Sequence, residues 1–452
     1  MLDELVSRLG DDVVVRDPDV VEGYRRDRCD LVDAGTPLAV VRARSTADVS
    51  ATLQWASTHD VPVVPRGAGT GLSGGAHAIT GGVVLSLERM TSVREIDPEA
   101  RMAVVEAGVI TADVDRAAAA HGLFYPPDPG SFEISTIGGN LATNAGGMRC
   151  VKYGVTRDAV LGLEVVLADG RVLRTGGRTI KNVAGLDLTS LLIGSEGTLG
   201  VITAATLRLR RAPATPPTTF VATFSQLAAV GRAVAAIVAS GAVPSLLELM
   251  DRETINAVED HRRMDLDREA AGLLIGQADG PDADAQVAVM SDCAEAAGAD
   301  LVLVTADPVE SDALLMARRL AGYATMEQGP SVIEDVGVPP HRLVELLSAI
   351  QEAGDAFGIR IATVGHAGDG NLHPILMLPD LHEDTRARAL AAADRISRAA
   401  VTLGGTITGE HGVGQLKRRW LAEQHDPLTA EVSTAIKSAL DPTGILNPGR
   451  GF

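Results

Sequence analysis

The amino-acid sequence predicts an α+β fold in two domains, and three observations lead to this prediction. A chain of 452 residues is too long for a single hydrophobic core. Up to about residue 211, short runs of Val, Ile and Leu separated by glycines predict strands with few helices, whereas helices and strands alternate beyond it. A Pro-rich stretch at 211–217 separates the halves, because it continues neither helix nor strand. We therefore expect a first domain at 1–211, a second at 212–400 and a C-terminal segment at 401–452.

In the first half, the predicted strands lie at 38–41, 61–64, 83–87, 102–106, 163–167 and 199–209. Helices are predicted at 46–58, where Val49, Leu53 and Ala56 share one face, at 110–120, and briefly near Leu188. The Ala-Asp-Gly sequence at 168–170 is typical of a hairpin turn. This mixture of short strands and few helices predicts an α+β first domain.

In the second half, the hydrophobic pattern predicts helices at 226–239, 285–297, 312–320 and 342–352, and strands at 246–249, 301–304 and 359–364. Such alternation is typical of a sheet that carries helices on its faces. The most apolar stretch, 227–243, is interrupted by Arg232 and is shorter than the roughly 20 residues that span a membrane. We interpret it as a core helix and expect no transmembrane segment.

The composition excludes several classes of function. With a formal net charge of −19 and only 3% aromatic residues, the protein would repel a phosphate backbone and offer few stacking surfaces, so we expect no nucleic-acid partner. Cys29, Cys150 and Cys293 are odd in number and far apart. This spacing is typical of a reducing compartment and excludes a CxxC pair or an iron–sulfur cluster.

A glycine-rich loop follows the predicted strand at 61–64. It runs from Pro65 to Gly75 and contains a literal GxGxxG between Gly69 and Gly74. A Rossmann loop would open a helix at its last glycine, but here the chain runs through 76–82 into another strand, which argues against that site. Because glycine lets a backbone approach a ligand closely, we expect the loop's N–H groups to surround a pyrophosphate. A glycine-rich surface turn is the alternative.

Further glycine clusters follow at 126–131, 136–147, 152–154 and 193–202, with paired glycines at 138–139 and 146–147. In regular structure, each glycine costs about 0.5–1 kcal/mol relative to alanine, because it gives up more backbone entropy on folding. Clustered pairs therefore indicate that something large lies against bare backbone.

Two histidines flank a polar, glycine-rich turn in the second half. His366 ends the predicted strand at 359–364 and His373 opens another apolar run, so the turn can bring both imidazoles to one centre. Together with a carboxylate, two neutral imidazoles leave open positions on a divalent ion. The residues alone leave two interpretations, a metal site or two unrelated histidines beside a turn.

Together these motifs resemble one family of flavoproteins. Nearly end to end, the sequence is similar to enzymes that share the FAD-binding domain of vanillyl-alcohol oxidase and p-cresol methylhydroxylase, in the branch of glycolate oxidase D-subunits, D-lactate dehydrogenases and D-2-hydroxyglutarate dehydrogenases. The segments that carry the resemblance are 65–75, 127–147, 153–154, 162–170, 194–202 and 440–449. It implies a two-subdomain FAD-binding domain, an α/β substrate domain with an antiparallel or mixed sheet, and a C-terminal segment that returns to the flavin.

The resemblance also implies FAD held without a covalent bond, with its pyrophosphate on the loop 66–75 and Asn447 near the flavin ring. His77, just past the loop, is interpreted as a structural or surface histidine rather than a flavin tether. The residues implied in cofactor binding are Pro65, Arg66, Gly67, Ala68, Gly69, Thr70, Gly71, Ser73, Gly74, Pro127, Asp128, Thr136, Gly138, Gly139, Asn140, Asn144, Gly146, Gly147, Tyr153, Glu196, Gly197, Gly200, Val201, Ile202 and Asn447.

For the two histidines, the resemblance implies a divalent ion, Zn, Mn or Fe, bound by His366, His373 and Glu410. Such an ion would favour loss of a substrate's hydroxyl proton and bind the neighbouring carboxylate. His411 is then the candidate general base, because imidazole titrates near neutral pH. The implied activity is oxidation of a small D-2-hydroxy acid, with hydride passing from its α-carbon to the flavin.

The same resemblance implies how the acid is held. Arg318 falls where the family places a carboxylate-binding arginine, for which bidentate geometry is the physical reason. Leu315 replaces the family's tryptophan, and a solvated arginine on a helix face is the alternative. Asn371 is expected to hydrogen-bond the substrate. Ile333 stands where members that accept a second carboxylate carry a lysine, which favours lactate, glycolate or an apolar-tailed acid.

The expected partners are the 2-hydroxy acid and an electron acceptor, either another protein or a quinone or oxygen, because the chain has no iron–sulfur cysteines. A homodimer is compatible with the sequence. The acidic start at 1–6 lacks the pattern of a signal peptide, so we expect a cytoplasmic protein, free or held at the membrane periphery by its acceptor. The alternatives are another alcohol substrate on the same fold, or a catalytic subunit of a multi-subunit glycolate oxidase complex.

Overall fold

The computed structural model describes residues Met1–Phe452 and divides into two compact units. The first unit comprises Met1–Gly146, Gly154–Ala212 and Glu410–Phe452, and the second comprises Gly147–Tyr153 and Pro213–Gly409. The chain leaves the first unit inside the Pro-rich stretch and returns to it directly before Glu410. Residues 401–409 therefore belong to the second unit. None of the helices is both long enough and apolar enough to cross a membrane.

The elements are numbered along the whole chain. The strands of the first unit are β1 (Val14–Val15), β2 (Ala39–Arg42), β3 (Val63–Arg66), β4 (Val83–Ser86), β5 (Val93–Asp97), β6 (Met102–Glu106), β7 (Leu123–Phe124), β8 (Val160–Val166), β9 (Val172–Gly176), β10 (Val201–Arg208) and β11 (Arg210–Arg211). Its helices are α1 (Leu2–Leu9), α2 (Pro18–Glu22), α3 (Thr46–His59), α4 (Thr111–Ala119), α5 (Ile137–Thr143), α7 (Leu188–Leu192), α14 (Leu421–Gln424) and α15 (Pro427–Leu440).

The first unit contains three sheets. A four-stranded sheet has the order β1-β2-β4-β3, a five-stranded sheet the order β5-β6-β10-β8-β9, and β11 pairs with β7. In the four-stranded sheet β4 is parallel to both β2 and β3, and the connection from β3 to β4 is the glycine-rich loop instead of a helix. The argument against a Rossmann site is confirmed, because no helix opens at the last glycine.

Helix α3 shows how the pattern of apolar residues fixes the four-stranded sheet. Ser45 caps the helix by accepting a hydrogen bond from the Asp48 backbone N–H at 3.2 Å. Val49, Leu53 and Ala56, the predicted apolar face, are fully buried in one core with the strand residues of β3 and β4. Burying each large aliphatic side chain is worth about 1.5–3 kcal/mol, so this helix holds the strands that carry the glycine loop.

The strands of the second unit are β12 (Thr218–Phe224), β13 (Leu246–Asp251), β14 (Gly272–Ala278), β15 (Leu301–Thr305), β16 (Ser331–Ile333), β17 (Val336–Gly337), β18 (Arg360–His366) and β19 (Asn371–Met377). Its helices are α6 (Cys150–Tyr153), α8 (Leu227–Ser240), α9 (Arg252–His261), α10 (Ala283–Ala297), α11 (Pro308–Met326), α12 (Leu343–Phe357) and α13 (Glu383–Thr402). The strands form one antiparallel eight-stranded sheet in the order β15-β12-β14-β13-β18-β19-β16, with β17 paired to β19.

Helices cover both faces of this sheet. Leu247 and Leu249 of β13 pack in a core with α8, α10 and α12, whereas Leu246 and Met250 pack in a core with α9 and α11. Alternate residues of a strand point to opposite faces, so Glu248 lies on the α9 and α11 face. By the same alternation, His366 shares that face with Val364, and His373 shares it with Ile375.

The predicted elements are largely confirmed, and the differences are local. Helix α11 extends beyond the predicted 312–320 in both directions, because Asp307 caps it and Pro308 occupies its first turn. Among the elements that were not predicted are strands β5, β12 and β14 and helices α1, α5, α9, α13 and α15. The turn at 168–170 joins β8 and β9 as a hairpin, with Gly170 in the left-handed region at φ +82°.

Candidate active site

The glycine loop of the first unit offers a continuous set of backbone donors. From Gly67 to Gly75, no backbone N–H donates a hydrogen bond to another protein group. By contrast, the first N–H groups of α5 are all satisfied, since Gly138 donates to the Ala107 carbonyl and Gly139 to the Thr136 hydroxyl. Backbone N–H groups in a partly buried loop require partners, and a pyrophosphate can accept from several of them at once.

Two buried charges hold the loop in shape. The Asp27 carboxylate accepts from the Ala76 N–H at 3.2 Å and lies 2.9 Å from the His77 imidazole. His77 is fully buried, so its interpretation as a structural histidine holds and the surface alternative is wrong. The Arg66 guanidinium donates to the Arg26 carbonyl at 2.9 Å and fills the place where a Cβ on Gly69 would lie. Gly69, at φ +70°, is therefore required by Arg66 as well as by its backbone conformation.

The turn at 196–197 connects the glycine loop to the segment that carries His411. Glu196 is buried, and its carboxylate accepts from the Val413 N–H at 2.8 Å and the Gly414 N–H at 2.7 Å. Gly197, at φ +70°, packs against the Pro65 ring so closely that a Cβ would come within 2.8 Å of it. Burial raises the pKa of the Glu196 carboxyl to about 6, against the two backbone donors, which lower it.

The C-terminal motif at 447–450 makes hydrogen bonds to the glycine loop and to the turn at 196–197. The Asn447 amide donates to the carbonyls of Gly75 at 3.0 Å and Glu196 at 2.8 Å. Arg450 donates from Nε to the Gly74 carbonyl at 3.0 Å. Four segments of the chain thus form one hydrogen-bonded junction, which consists of the loop 66–77, the turn 196–197 and the segments 410–416 and 447–450.

Several other predicted cofactor residues have partners within their own unit. The buried Asn140 amide donates to Thr111 Oγ1 at 2.6 Å, and Asn144 Oδ1 accepts from the Arg157 N–H at 2.9 Å. In the second unit, Tyr153 donates from its hydroxyl to Asp279 at 2.6 Å. Val201 and Ile202 are buried in β10, Gly200 packs against Val165, and Pro127 and Asp128 are buried. Their contacts with a cofactor stay predictions.

The second unit brings the two predicted metal-binding histidines together. The β18–β19 hairpin places His366 opposite Asn371, and His373 opposite Val364. Both imidazoles are buried, and their ring centroids lie 5.1 Å apart in an edge-to-face arrangement with an interplanar angle of 84°. A pair of buried imidazoles on neighbouring strands is a donor set that suits a divalent ion.

Each of these imidazoles lies beside a buried carboxylate that sequence reasoning missed. Glu248 lies 3.0 Å from His366 Nδ1 and 2.7 Å from Arg318 Nε. Asp335 lies 3.6 Å from His373 Nδ1, and it accepts from the Gly409 N–H at 2.8 Å. A glutamate inside the apolar run 246–250, and an acidic pair at 334–335 between apolar residues, were the signals that could have found them.

Arg318, predicted to bind a carboxylate, is buried on α11, which rejects the alternative of a solvated helix-face arginine. Asn371 is also buried, and its Oδ1 accepts no hydrogen bond from the protein. A Cβ on Gly409 would meet the Asn371 amide at 2.5 Å, so a larger residue there would displace this amide. Glu410 follows Gly409, and its carboxylate accepts from the Gly146 N–H at 2.9 Å within the first unit. His411, the next residue, is half-buried.

Comparison with known protein families shows to which family the chain belongs. Residues 216–450 match the model of the C-terminal domain of FAD-linked oxidases, and residues 37–176 match that of an FAD-binding domain. The chain belongs to the FAD-linked oxidase family. This FAD-linked oxidase is therefore an oxidoreductase, and the donors of the loop 67–75 suit the pyrophosphate of FAD.

Relatives match this FAD-linked oxidase over most of its length. It is 42% identical over 419 residues to the glycolate oxidase subunit GlcD of Bacillus subtilis, which covers 92% of this chain and 89% of that protein. It is 38% identical over 421 residues to the D-lactate dehydrogenase of Archaeoglobus fulgidus, which covers 92% of each chain.

Solved structures show the same fold at lower sequence identity. p-Cresol methylhydroxylase matches with a TM-score of 0.80 at 19% identity, and covers 99% of this chain and 95% of its own. The 4-ethylphenol oxidase of Gulosibacter chungangensis matches with a TM-score of 0.79 at 20% identity, over 99% and 96% of the two chains. The predicted two-domain flavoenzyme fold is confirmed.

The raised pKa of Glu196 predicts how stability depends on pH. Between about pH 4.5 and 6 the folded protein holds a proton that the unfolded chain has lost, so this stabilisation disappears as the pH rises through about 6. In a Glu196→Gln variant, the loss of unfolding free energy between pH 5 and pH 7 should be smaller than in the wild type by about 1 kcal/mol. Denaturant titrations at the two pH values measure this difference. Asp251, whose pKa burial also raises to about 6, stays in both proteins, and equal losses in the two would contradict the assignment.

Proposed function

We propose that this FAD-linked oxidase oxidises a small D-2-hydroxy acid, such as D-lactate or glycolate, to the 2-oxo acid. The observation that supports the proposal most is a cluster of buried side chains on one sheet face of the second unit. His366 and His373 lie on one hairpin, and Glu248 contacts both His366 and Arg318. The names of the relatives in Bacillus subtilis and Archaeoglobus fulgidus support this substrate class.

Arg318 is assigned to the substrate carboxylate. Its Nε lies against Glu248, so the terminal amines of the guanidinium are the groups that would donate to a carboxylate in bidentate geometry. Asn371, which is buried and whose Oδ1 accepts nothing from the protein, is assigned to hydrogen-bond the substrate. Together with the ion assigned to the hydroxyl, Arg318 and Asn371 would hold the α-carbon of the acid in one orientation, which would favour one enantiomer.

His366, His373 and Glu410 are assigned to a divalent ion. One support is the buried imidazole pair. The other is Asp335, which lies beside His373 and accepts a hydrogen bond from the N–H of Gly409, the residue that precedes Glu410. When bound, FAD supplies the hydride acceptor and the ion supplies Lewis acidity at the substrate hydroxyl. His411 is assigned as the base that takes the hydroxyl proton, and the Glu196 carboxylate holds the backbone that follows it at Val413 and Gly414.

We further propose that the electrons leave to another protein or a quinone, because the chain has three cysteines, fewer than the four thiolates that hold an iron–sulfur cluster. Such an acceptor would place the protein in the cytoplasm or at the membrane periphery, and the relatives named as oxidase subunits favour assembly with partner chains. A homodimer is also compatible with this proposal.

Flavin reduction under anaerobic conditions tests the substrate class. Mixing the oxidised holoenzyme with D-lactate or glycolate should bleach the flavin absorbance, whereas L-lactate and D-2-hydroxyglutarate should bleach it far more slowly. The physical reason is that Arg318 offers one carboxylate site, and Ile333 offers no charge to a second carboxylate. Stopped-flow absorbance measures the rates. A flavin that none of these acids reduces would contradict the proposal.

Removal of the metal should abolish reduction by substrate while FAD stays bound. The ion would act on the substrate hydroxyl, whereas the flavin is held by the first unit. Exhaustive chelation, or His373→Ala, should give a yellow protein that the acid no longer reduces, measured by absorbance and metal analysis. His382→Ala, on the exposed start of α13, is the matched control and should keep full activity. Full activity of a metal-free enzyme would show that His366 and His373 have a structural role.

Replacement of His411 separates the base from the ligand beside it. His411→Asn should keep FAD, metal and substrate binding, and slow flavin reduction about 10²–10⁴-fold, the usual worth of a general base. Glu410→Gln should weaken metal binding first. Single-turnover reduction rates, together with metal titrations, distinguish the two effects. A His411→Asn enzyme that reduces its flavin at the wild-type rate with metal bound would exclude His411 as the base.

A further inference from the structure

We propose that Glu248 is a positioning residue, which fixes both His366 and Arg318; this inference rests on the function proposed above. Glu248 lies on β13 directly opposite His366 on β18. Its carboxylate is completely buried, in a strand whose neighbouring residues are apolar. A buried carboxylate is costly unless it is paired and hydrogen-bonded, so its partners show what it is there to hold.

The first partner is the imidazole of His366. Its Nδ1 lies 3.0 Å from each carboxylate oxygen of Glu248, and 3.5 Å from Arg318 Nη2. Two negatively charged acceptors at 3.0 Å outweigh one donor at 3.5 Å, so Nδ1 carries the proton. In that tautomer the lone pair is on Nε2, which is the nitrogen that can bind an ion. Glu248 therefore selects the tautomer of His366 that a metal site needs.

The second partner is the guanidinium of Arg318. Its Nε lies 2.7 Å from Glu248 Oε2, and both side chains are almost fully buried. This ion pair fixes the position of the guanidinium, whose Nη2 lies 3.5 Å from His366 Nδ1. The Glu248 carboxylate thus orients two groups. One is Arg318, which is assigned to the substrate carboxylate, and the other is His366, a ligand of the ion that is assigned to the substrate hydroxyl.

Asp335, the carboxylate beside His373, has a different set of partners. It lies 3.6 Å from His373 Nδ1, and its Oδ2 accepts from the Thr408 hydroxyl at 2.7 Å and the Gly409 N–H at 2.8 Å. A change at Asp335 would therefore disturb the backbone before Glu410 as well as the imidazole. The Glu248 carboxylate contacts the side chains of His366 and Arg318, so a substitution there gives the cleaner test.

The test is Glu248→Gln, which keeps the size of the side chain and removes its charge. Titration of the FAD-loaded, metal-free protein with Mn²⁺ should show an affinity about 10–100-fold below the wild type, the usual effect of losing a partner of a ligand histidine. The KM for the acid should also rise, while FAD content is unchanged. Nitrogen-15 NMR of histidine-labelled, metal-free protein should show His366 with its proton on Nδ1 in the wild type, and a mixture of tautomers in the variant. Glu248→Asp, which keeps the charge, should recover part of the metal affinity.

Glu259→Gln is the matched control. Glu259 is also a buried glutamate of the second unit, but its carboxylate accepts from the backbone N–H groups of Met264 and Leu266, both at 2.8 Å. Its replacement should leave the metal affinity unchanged. An unchanged metal affinity in folded Glu248→Gln, or an equal loss in Glu259→Gln, would overturn the inference. The metal titration and the NMR spectra need no turnover, so their outcome is separate from whether a 2-hydroxy acid is the substrate.

Discussion

The organisation of the first unit depends on the hydrogen bonds that the buried carboxylate of Glu196 accepts. The carboxylate accepts hydrogen bonds from the backbone N–H groups of residues 413 and 414, and the Glu196 backbone carbonyl accepts one from the Asn447 amide. Hydrogen bonds to a charged group in a low-dielectric interior are among the stronger ones, and leaving their donors unsatisfied costs more than the bonds contribute. The Glu196 side chain therefore holds the segment with Glu410 and His411, and the Asn447 amide joins the Glu196 backbone to Gly75 of the loop 66–77.

In the second unit, too, a buried carboxylate contacts the predicted site residues. Strand alternation puts Glu248, His366 and His373 on the α9 and α11 face of the sheet, where Arg318 on α11 reaches Glu248. The charges are buried together, and each has a partner. In both units, a buried carboxylate orients groups that we have assigned to ligand binding.

The sequence predicted those parts whose information is local. The apolar face of α3, the hairpin turn at Gly170 and the absence of a helix after Gly74 follow from nearby residues, and all three are confirmed. Strand β12 could not be read from alternation, because residues on both of its faces, such as Thr219 and Phe220, are buried.

The sequence could not show which site residue each buried carboxylate contacts, for another physical reason. Glu248 and His366 are separated by 118 residues, and only the pairing of β13 with β18 makes them neighbours. The resemblance to a family led to the histidines, Arg318 and Glu410, but it did not predict the carboxylates that orient them. Likewise, Glu196 was expected to contact the cofactor, and the structure shows its carboxylate bound to Val413 and Gly414.

The most direct test of this account is hydrogen exchange at Val413 and Gly414 in the holoenzyme. If the Glu196 carboxylate holds these amides, they should be protected in the wild type and exchange at least about tenfold faster in Glu196→Gln, since a lost charge-assisted hydrogen bond is worth at least ~1.4 kcal/mol. Amides of the β18–β19 hairpin in the second unit serve as the internal reference and should not change. Equal exchange at residues 413 and 414 in the two proteins would contradict the claim that Glu196 holds the segment with Glu410 and His411.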